Sequence, residues 1–194
     1  MDKVAVFIDN GYFKKVQDSL GTRVDYEIFS DEIVGGSCER FRTYVYDCPP
    51  FQSNPPTAEE MERKSGFDGF KYSISHLSRF EFRTGRLQQI RDENGNVIKK
   101  ADGSPMLRQK GVDLAMGIDV AKLAAVKQVQ KIIIVAGDSD FSPAVMAAKE
   151  DFIIVVLYYS PESFIHDDLY RLCDDRIQIT KGLLEKCKRI RVVK

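Results

Sequence analysis

Histidine and cysteine are scarce in this sequence, and neither charge is in excess. The 194 residues include four cysteines and two histidines. The cysteines form no CxxC pair, and neither histidine lies at a ligand-like spacing from them, so the sequence does not predict a thiolate zinc site. The 29 Lys and Arg residues balance the 29 Asp and Glu residues. Net charge therefore identifies no partner, and only local clusters of charge can do so.

Long apolar runs are also missing. No segment approaches the roughly 20 apolar residues that a transmembrane helix needs, and "VAVFIDN" begins after only Met, Asp and Lys, without the n-region and h-region of a signal peptide. We therefore expect no membrane association, a cytoplasmic location and reduced cysteines. The sequence contains no GxGxxG motif, no GxxxxGK[ST] motif and no nucleophile elbow, which argues against dinucleotide, P-loop and serine-hydrolase chemistry.

Short β-branched runs alternate with amphipathic segments along the chain. The predicted strands are 3–9, 40–47, 131–137 and 151–159. The predicted helices are 11–19, 25–34, about 58–78, 111–126, 142–149 and about 180–188. The last two strands lack polar alternation, which is typical of strands covered on both faces. The pattern predicts one α/β domain over residues 1–194, a three-layer Rossmann-like fold with a mainly parallel central sheet flanked by helices.

Two helix starts and one insertion have local signals. Thr57 with Glu60 predicts a capping box, and Ser142 before Pro143 predicts an N-cap followed by proline at the first helical position. Residues 86–109 contain the turn dipeptides Asn94-Gly95 and Asp102-Gly103. This segment is therefore predicted to be a hairpin insertion that projects from the sheet.

Acidic residues recur where elements meet. Asp9 ends the first strand, Asp113 follows the hairpin, and Asp138 and Asp140 follow the strand "IIIVAG". Carboxyl ends of parallel strands share one edge, where ligands bind in open α/β sheets. An Asp after a strand is often only a helix cap, but Ser142 is the predicted cap here. Crowded carboxylates need a cation, so we expect Asp9, Asp113, Asp138 and Asp140 to bind Mg²⁺ or Mn²⁺.

Three further polar residues have a functional and a structural interpretation. Asn10 is either a ligand that assists Asp9 or a helix cap. Asp119 lies about 120° around the helix from Asp113, so it is either an auxiliary site residue or a structural one. Lys110 is either a phosphate contact or a solvated lysine.

With these residues in hand, the sequence resembles the NYN domain, specifically the LabA-like group of the PIN-like nuclease superfamily. The resemblance rests on "VFIDNGY" (6–12), "KGVDLAMGIDV" (110–120) and "VAGDSDFSPAV" (135–145), in that order. It implies a parallel sheet flanked by helices, an acidic Mg²⁺ or Mn²⁺ pocket and hydrolysis of RNA phosphodiesters. It implies catalytic and metal-binding roles for Asp9, Asp113, Asp138 and Asp140, with Asn10, Asp119 and Ser139 as auxiliary residues.

The hairpin and the segment before it are rich in basic residues. Between His76 and Lys110 the basic residues are Arg79, Arg83, Arg86, Arg91, Lys99, Lys100, Arg108 and Lys110. We expect RNA, single-stranded, as the partner, with Arg83, Arg86, Arg108 and Lys110 as substrate contacts and Tyr12, Tyr46 or Phe51 as stacking surfaces. A solvated hairpin with core aromatic residues is the alternative interpretation. A homodimer is left open.

Other phosphate enzymes fit less well. A haloacid-dehalogenase phosphatase needs a second Asp at the position of Gly11, and a Toprim domain needs Glu where Asp9 stands. The remaining rival is a catalytically inactive PIN-like module that binds RNA or a protein.

Overall fold

A computed structural model describes residues 1–101 and 103–188, without the side chains of Gln109 and Asp113. The strands are β1 (Asp2–Asp9), β2 (Cys38–Asp47), β3 (Phe80–Thr84), β4 (Arg86–Gln89), β5 (Leu107–Lys110), β6 (Lys131–Val135), β7 (Ile154–Tyr159) and β8 (Asp175–Gln178). The helices are α1 (Asn10–Ser19), α2 (Tyr26–Val34), α3 (Ala58–Ser75), α4 (Val112–Ala125), α5 (Ser142–Glu150), α6 (Asp167–Leu172) and α7 (Lys181–Lys186). A 3₁₀ turn over Ser139–Phe141 precedes α5.

The central sheet has six strands in the order β3-β2-β1-β6-β7-β8. Each neighbouring pair in it is parallel. Helices cover both faces, and each face has its own apolar core. The α/β fold with a parallel, Rossmann-like central sheet that the sequence predicts is therefore confirmed.

The side chains of the central strands point alternately into the two cores. In β1, Ala5 and Phe7 point into the core with α4, α5 and α6, while Val4, Val6 and Ile8 point into the core with α1, α2, α3 and α7. Successive side chains of a strand point to opposite faces. The strands of the sheet therefore contribute to both cores.

Thr57 and Glu60 form the predicted capping box at the start of α3. The Thr57 hydroxyl accepts a hydrogen bond from the Glu60 N–H at 3.2 Å, and the Glu60 carboxylate accepts one from the Thr57 N–H at 2.8 Å. Hydrogen bonds from the Ser53 hydroxyl and from the N–H groups of Thr57 and Ser53 lower the pKa of Glu60 to about 2.

The sequence missed β3, α6 and β8. The two strands lie at the edges of the sheet and are four or five residues long. All of β8 is exposed, so it carries no apolar run that could mark it as a strand. Helix α6 has only six residues, too few to display a helical period.

Strands β4 and β5 form a separate antiparallel two-stranded sheet. Strand β4 pairs with β5, from Arg86 with Lys110 to Gln89 with Leu107. The predicted turn at Asn94-Gly95 is present, since Gly95 has a φ of 83° and donates its N–H to the Asp92 carbonyl. Asp102 of the second predicted turn lies outside the described residues.

Candidate active site

Strands β1 and β6 meet at the point where the connections of the sheet change direction. From β1 the chain proceeds to β2 and β3 on one side, and from β6 to β7 and β8 on the other. Ile8 pairs with Val135 near the carboxyl ends of the two strands. Ligands of open α/β sheets bind in the crevice at such a switch point. Asp9 directly follows Ile8, and Asp138 lies three residues after Val135.

Asp9 joins β1 to α1 and is half-buried. It is the N-cap of α1, because its Oδ1 accepts a hydrogen bond from the Tyr12 N–H at 3.2 Å. This cap fixes the side chain at the sheet edge and satisfies one N–H of the first turn.

Asp138 and Asp140 are both exposed in the loop that follows β6. Asp138 is the N-cap of the 3₁₀ turn and accepts a hydrogen bond from the Asp140 N–H at 3.1 Å. The predicted capping role of Ser142 is wrong: Phe141 precedes α5, and the Ser142 hydroxyl is buried without a partner among the described residues. The reason is the intervening 3₁₀ turn, which moves the cap four residues toward the N-terminus.

The three carboxylates line one cavity of about 690 Å³, here called the acidic cavity. Glu162, from the loop after β7, is a fourth carboxylate in its wall. Arg108 of β5 and Lys15 of α1 bring positive charge to the same cavity. The sequence interpretation missed Glu162 and Lys15, although the edge rule that identified Asp138 also applies to the loop after β7.

Gly137 holds the β7 loop against the acidic cavity. A Cβ at this position would lie 2.3 Å from the Phe164 carbonyl oxygen and 2.7 Å from Cε2 of Tyr12. The His166 N–H donates to the Gly137 carbonyl at 2.8 Å. Only glycine permits this close approach, so the loop that carries Glu162 is fixed by the residue before Asp138.

The donors of the acidic cavity fit a hard divalent cation. Carboxylate oxygens are the ligands that Mg²⁺ and Mn²⁺ prefer. Within the described residues, no group of three His, Cys, Asp or Glu side chains is already gathered around one point. Mg²⁺ does not need such a cage, since it keeps several waters and is commonly held by one or two carboxylates with substrate phosphates. Asp113 lies in the first turn of α4, but its side chain is outside the description.

Asn10 points away from the acidic cavity. It is fully buried, donates to Asp47 Oδ2 at 2.6 Å and accepts a hydrogen bond from the Tyr26 hydroxyl. Lys14 also donates to Asp47 Oδ2, at 2.8 Å. Asn10 is the first residue of α1 and contacts β2 and α2 through Asp47 and Tyr26, whereas Asp9 lines the acidic cavity. Neither predicted alternative for Asn10, ligand or cap, matches this placement.

Asp119 and Arg83 bind each other rather than facing the acidic cavity. Asp119 Oδ2 accepts hydrogen bonds from the Tyr46 hydroxyl at 2.8 Å and from Arg83 Nε at 3.1 Å. Burial, and then the negative charge of Asp119, raise the pKa of Tyr46. The structural interpretation of Asp119 is the one that these contacts support. Arg83 also pairs with Glu81 at 3.3 Å, so its charge is already neutralised.

The remaining predicted residues are divided. Arg108 lines the acidic cavity, and with Lys110 it lines a second cavity beside it. Arg86 and Ser139 line neither cavity. Tyr46 is fully buried, so its prediction as a stacking surface is wrong.

Comparison with known proteins identifies one family. The NYN domain model matches residues 3–180. A search of curated proteins finds no match. None of the helices in the described part of the chain has both the length and the apolar character needed to cross a bilayer.

A search of solved structures gives two matches to report. A protein of unknown function from Vibrio parahaemolyticus RIMD 2210633 has a TM-score of 0.56 and 20% identity, covering 92% of this chain and 93% of that one. A much longer chain from Parabacteroides merdae ATCC 43184 has a TM-score of 0.32 and 15% identity, covering 92% of this chain and 31% of that one. The first similarity supports the fold, and the second supports no conclusion.

Proposed function

This chain belongs to the NYN domain family, within the PIN-like nuclease superfamily, and on that premise we propose that it is a metal-dependent ribonuclease of the LabA-like group. The observation that carries the proposal is the acidic cavity at the β1–β6 switch point, lined by Asp9, Asp138 and Asp140. Carboxylates from separate segments repel one another unless a cation lies between them. Asp119 does not offer such a site, because its carboxylate already binds Tyr46 and Arg83.

The proposed ligands are Asp9, Asp138 and Asp140, with Asp113 as a further ligand from the resemblance. When bound, Mg²⁺ or Mn²⁺ would lower the pKa of a coordinated water and neutralise charge on the phosphate. Lys15 and Arg108 line the same cavity and can orient the scissile phosphate. The Asp9 and Asp138 caps restrain their carboxylates before substrate arrives, which lowers the cost of assembling the site.

Hydrolysis needs an acceptor for the proton of the attacking water. The water oxygen bonds to phosphorus, one P–O ester bond breaks, and the departing oxygen takes up a proton from solvent water. Glu162 is exposed and lies on a segment separate from the proposed ligands. We assign it the role of accepting the water proton through a carboxylate oxygen.

Single-stranded RNA is the proposed substrate, because a flexible backbone can reach in-line geometry. The cysteines of the described chain are free thiols, and Cys48, Cys173 and Cys187 are buried. Free thiols suit the reducing cytoplasm, which we propose as the location.

The test compares Asp138→Asn with Asp68→Asn, a matched change at an exposed Asp that pairs with Lys64 on α3. End-labelled single-stranded RNA is incubated with Mn²⁺ or Mg²⁺, with and without chelator. We expect wild type and Asp68→Asn to cut equally, chelator to stop cleavage, and Asp138→Asn to lose about 10²- to 10³-fold in rate.

A contaminating nuclease would cut equally in all preparations. If wild type and Asp138→Asn bind RNA equally and neither cuts any RNA or DNA, the nuclease proposal fails. The chain would then be a catalytically inactive PIN-like binding module, the alternative function.

A further inference from the structure

A second cavity adjoins the acidic cavity and has a different character. It has a volume of about 610 Å³ and lies between α4 and α5; we call it the apolar groove. Its apolar walls come from Leu114, Ile118, Ala121, Pro143, Ala144 and Ala147. Leu114 is 68% exposed and Ile118 is 43% exposed, so these walls are open to a ligand. The volume is in the range of roughly 300–1,000 Å³ that small-molecule ligands occupy.

Positive charge lines the same groove. Arg108 and Lys110 of β5 are both in its wall and both exposed. Neither takes part in an ion pair with any side chain that the structure describes. Arg83, by contrast, already binds Asp119 and Glu81. The two cations of the groove are therefore the ones available to an anionic ligand.

The groove is continuous with the acidic cavity. Arg108 and Asp140 line both. The two cavities therefore adjoin at Asp140, so a ligand chain that passes over this residue can contact both. Such a ligand needs phosphates for the cations and an apolar face for the helix walls.

We propose that the apolar groove binds the base of a nucleotide that flanks the scissile phosphate of single-stranded RNA, with Arg108 and Lys110 on the adjoining phosphates. This inference rests on RNA being the substrate. A protein segment covering the groove would bury two cations against the single carboxylate Asp140, at a high desolvation cost. A nucleotide supplies the compensating charge itself.

The walls also predict how the base is recognised. The groove is lined mainly by aliphatic side chains and small residues, including Gly117, where an added Cβ would lie 3.7 Å from the Ala144 Cβ. Such walls make apolar contact with the flat face of any base and offer few hydrogen bonds to its edge. We infer that this subsite is sequence-tolerant, as base contacts through the π-face are.

The test measures binding separately from cleavage. Fluorescence anisotropy in chelator keeps the RNA intact and gives affinities for a labelled decamer and for the same decamer with one base removed at each position in turn. The variant is Leu114→Ser, and the control is Met61→Ser, an exposed apolar residue of α3 that is 52% exposed. Both positions are open, so both variants should fold.

We expect Leu114→Ser to bind the intact decamer about tenfold more weakly than wild type, and Met61→Ser to bind it normally. Removing the base at one position should weaken binding to wild type about tenfold as well. The same abasic decamer should bind Leu114→Ser no more weakly than the intact decamer does. This non-additivity would show that the base and the leucine are in contact. Lys110→Ala should reduce the slope of log affinity against log salt by about one.

The inference is overturned if no abasic position matters, if the abasic effect persists in Leu114→Ser, or if the decamer does not bind. It is also overturned if Leu114→Ser changes the molar mass in light scattering, because the groove would then be an interface between copies of the chain. Cleavage with Mn²⁺ and no coupling would refute the groove and leave the nuclease proposal standing. Coupling between Leu114 and one base without any cleavage would support the groove and refute the nuclease proposal.

Discussion

The carboxylates after β6 and the carboxylate at the end of β2 lie at the same edge of the sheet but differ in exposure and hydrogen bonding. In the acidic cavity, Asp138 and Asp140 are exposed and share the cavity wall with Lys15 and Arg108. At the end of β2, the Asp47 carboxylate is 7% exposed and already accepts hydrogen bonds from Asn10, Lys14 and the Cys48 N–H. Both sets follow parallel strands. A strand-terminal carboxylate is therefore a site candidate only where the fold leaves some of its hydrogen-bonding capacity unused.

The largest effect should come from Asp47→Asn. Every donor to this carboxylate would then meet an amide with one acceptor oxygen, and the NH₂ group would face N–H donors in a buried setting. We expect the free energy of unfolding to fall by about 3 kcal/mol. Urea denaturation followed by circular dichroism measures it.

The matched change in the acidic cavity is Asp138→Asn. Asn also caps helices well and the site is exposed, so stability without metal should change by less than about 0.5 kcal/mol. Equal losses at Asp47 and Asp138 would contradict the distinction between a saturated and an open carboxylate.

Metal binding at the acidic cavity should stabilise the folded chain. At a Mn²⁺ concentration 100 times Kd, binding to the folded chain adds about 2.7 kcal/mol. That corresponds to a rise in Tm of about 5–10 °C for a chain of this size. Differential scanning fluorimetry with and without Mn²⁺ measures it.

Asp119→Asn provides the comparison for this measurement. It removes a carboxylate held by Tyr46 and Arg83, so the variant should be less stable yet keep the full Mn²⁺ response. Asp138→Asn should lose that response. A Mn²⁺ response in Asp138→Asn equal to that of wild type would refute the metal site.

A smaller loss of stability than that of Asp47→Asn should come from Tyr46→Phe. The Tyr46 hydroxyl donates to Asp119 at 2.8 Å, and its removal leaves Asp119 with Arg83 as partner. We expect a loss of about 1 kcal/mol in stability and no change in cleavage rate or Mn²⁺ response. A loss of cleavage in this variant would link the Asp119 cluster to the active site.

Much of the fold could be predicted because its strongest signals are local. The unbroken apolar runs of β6 and β7 predicted buried parallel strands, and Thr57 with Glu60 predicted a capping box that the structure contains. Strand β8 could not be predicted, because an exposed edge strand of four residues has no apolar pattern.

The site could be predicted only in part. The edge rule brought Asp9 and Asp138 together, but it does not say which face a side chain takes. Asn10 binds Asp47 and Tyr26, which are 37 and 16 positions away in the chain, and no local pattern marks such partners. The Arg83–Asp119 pair joins residues 36 positions apart, and nothing in one sequence shows that two such charges neutralise each other.

Ile8 pairs with Val135 across the middle of the sheet, and this register has a consequence for how the protein is made. Chains emerge from the ribosome N-terminus first, at about 5–20 residues per second. Asp9 leaves the ribosome long before β6, so a growing chain holds one side of the acidic cavity without the other. A truncated translation product that stops before Asp138 would lack two of the proposed ligands. The proposed nuclease would therefore stay inert beside the messenger RNA that encodes it until the segment with Asp138 and Asp140 has been synthesised.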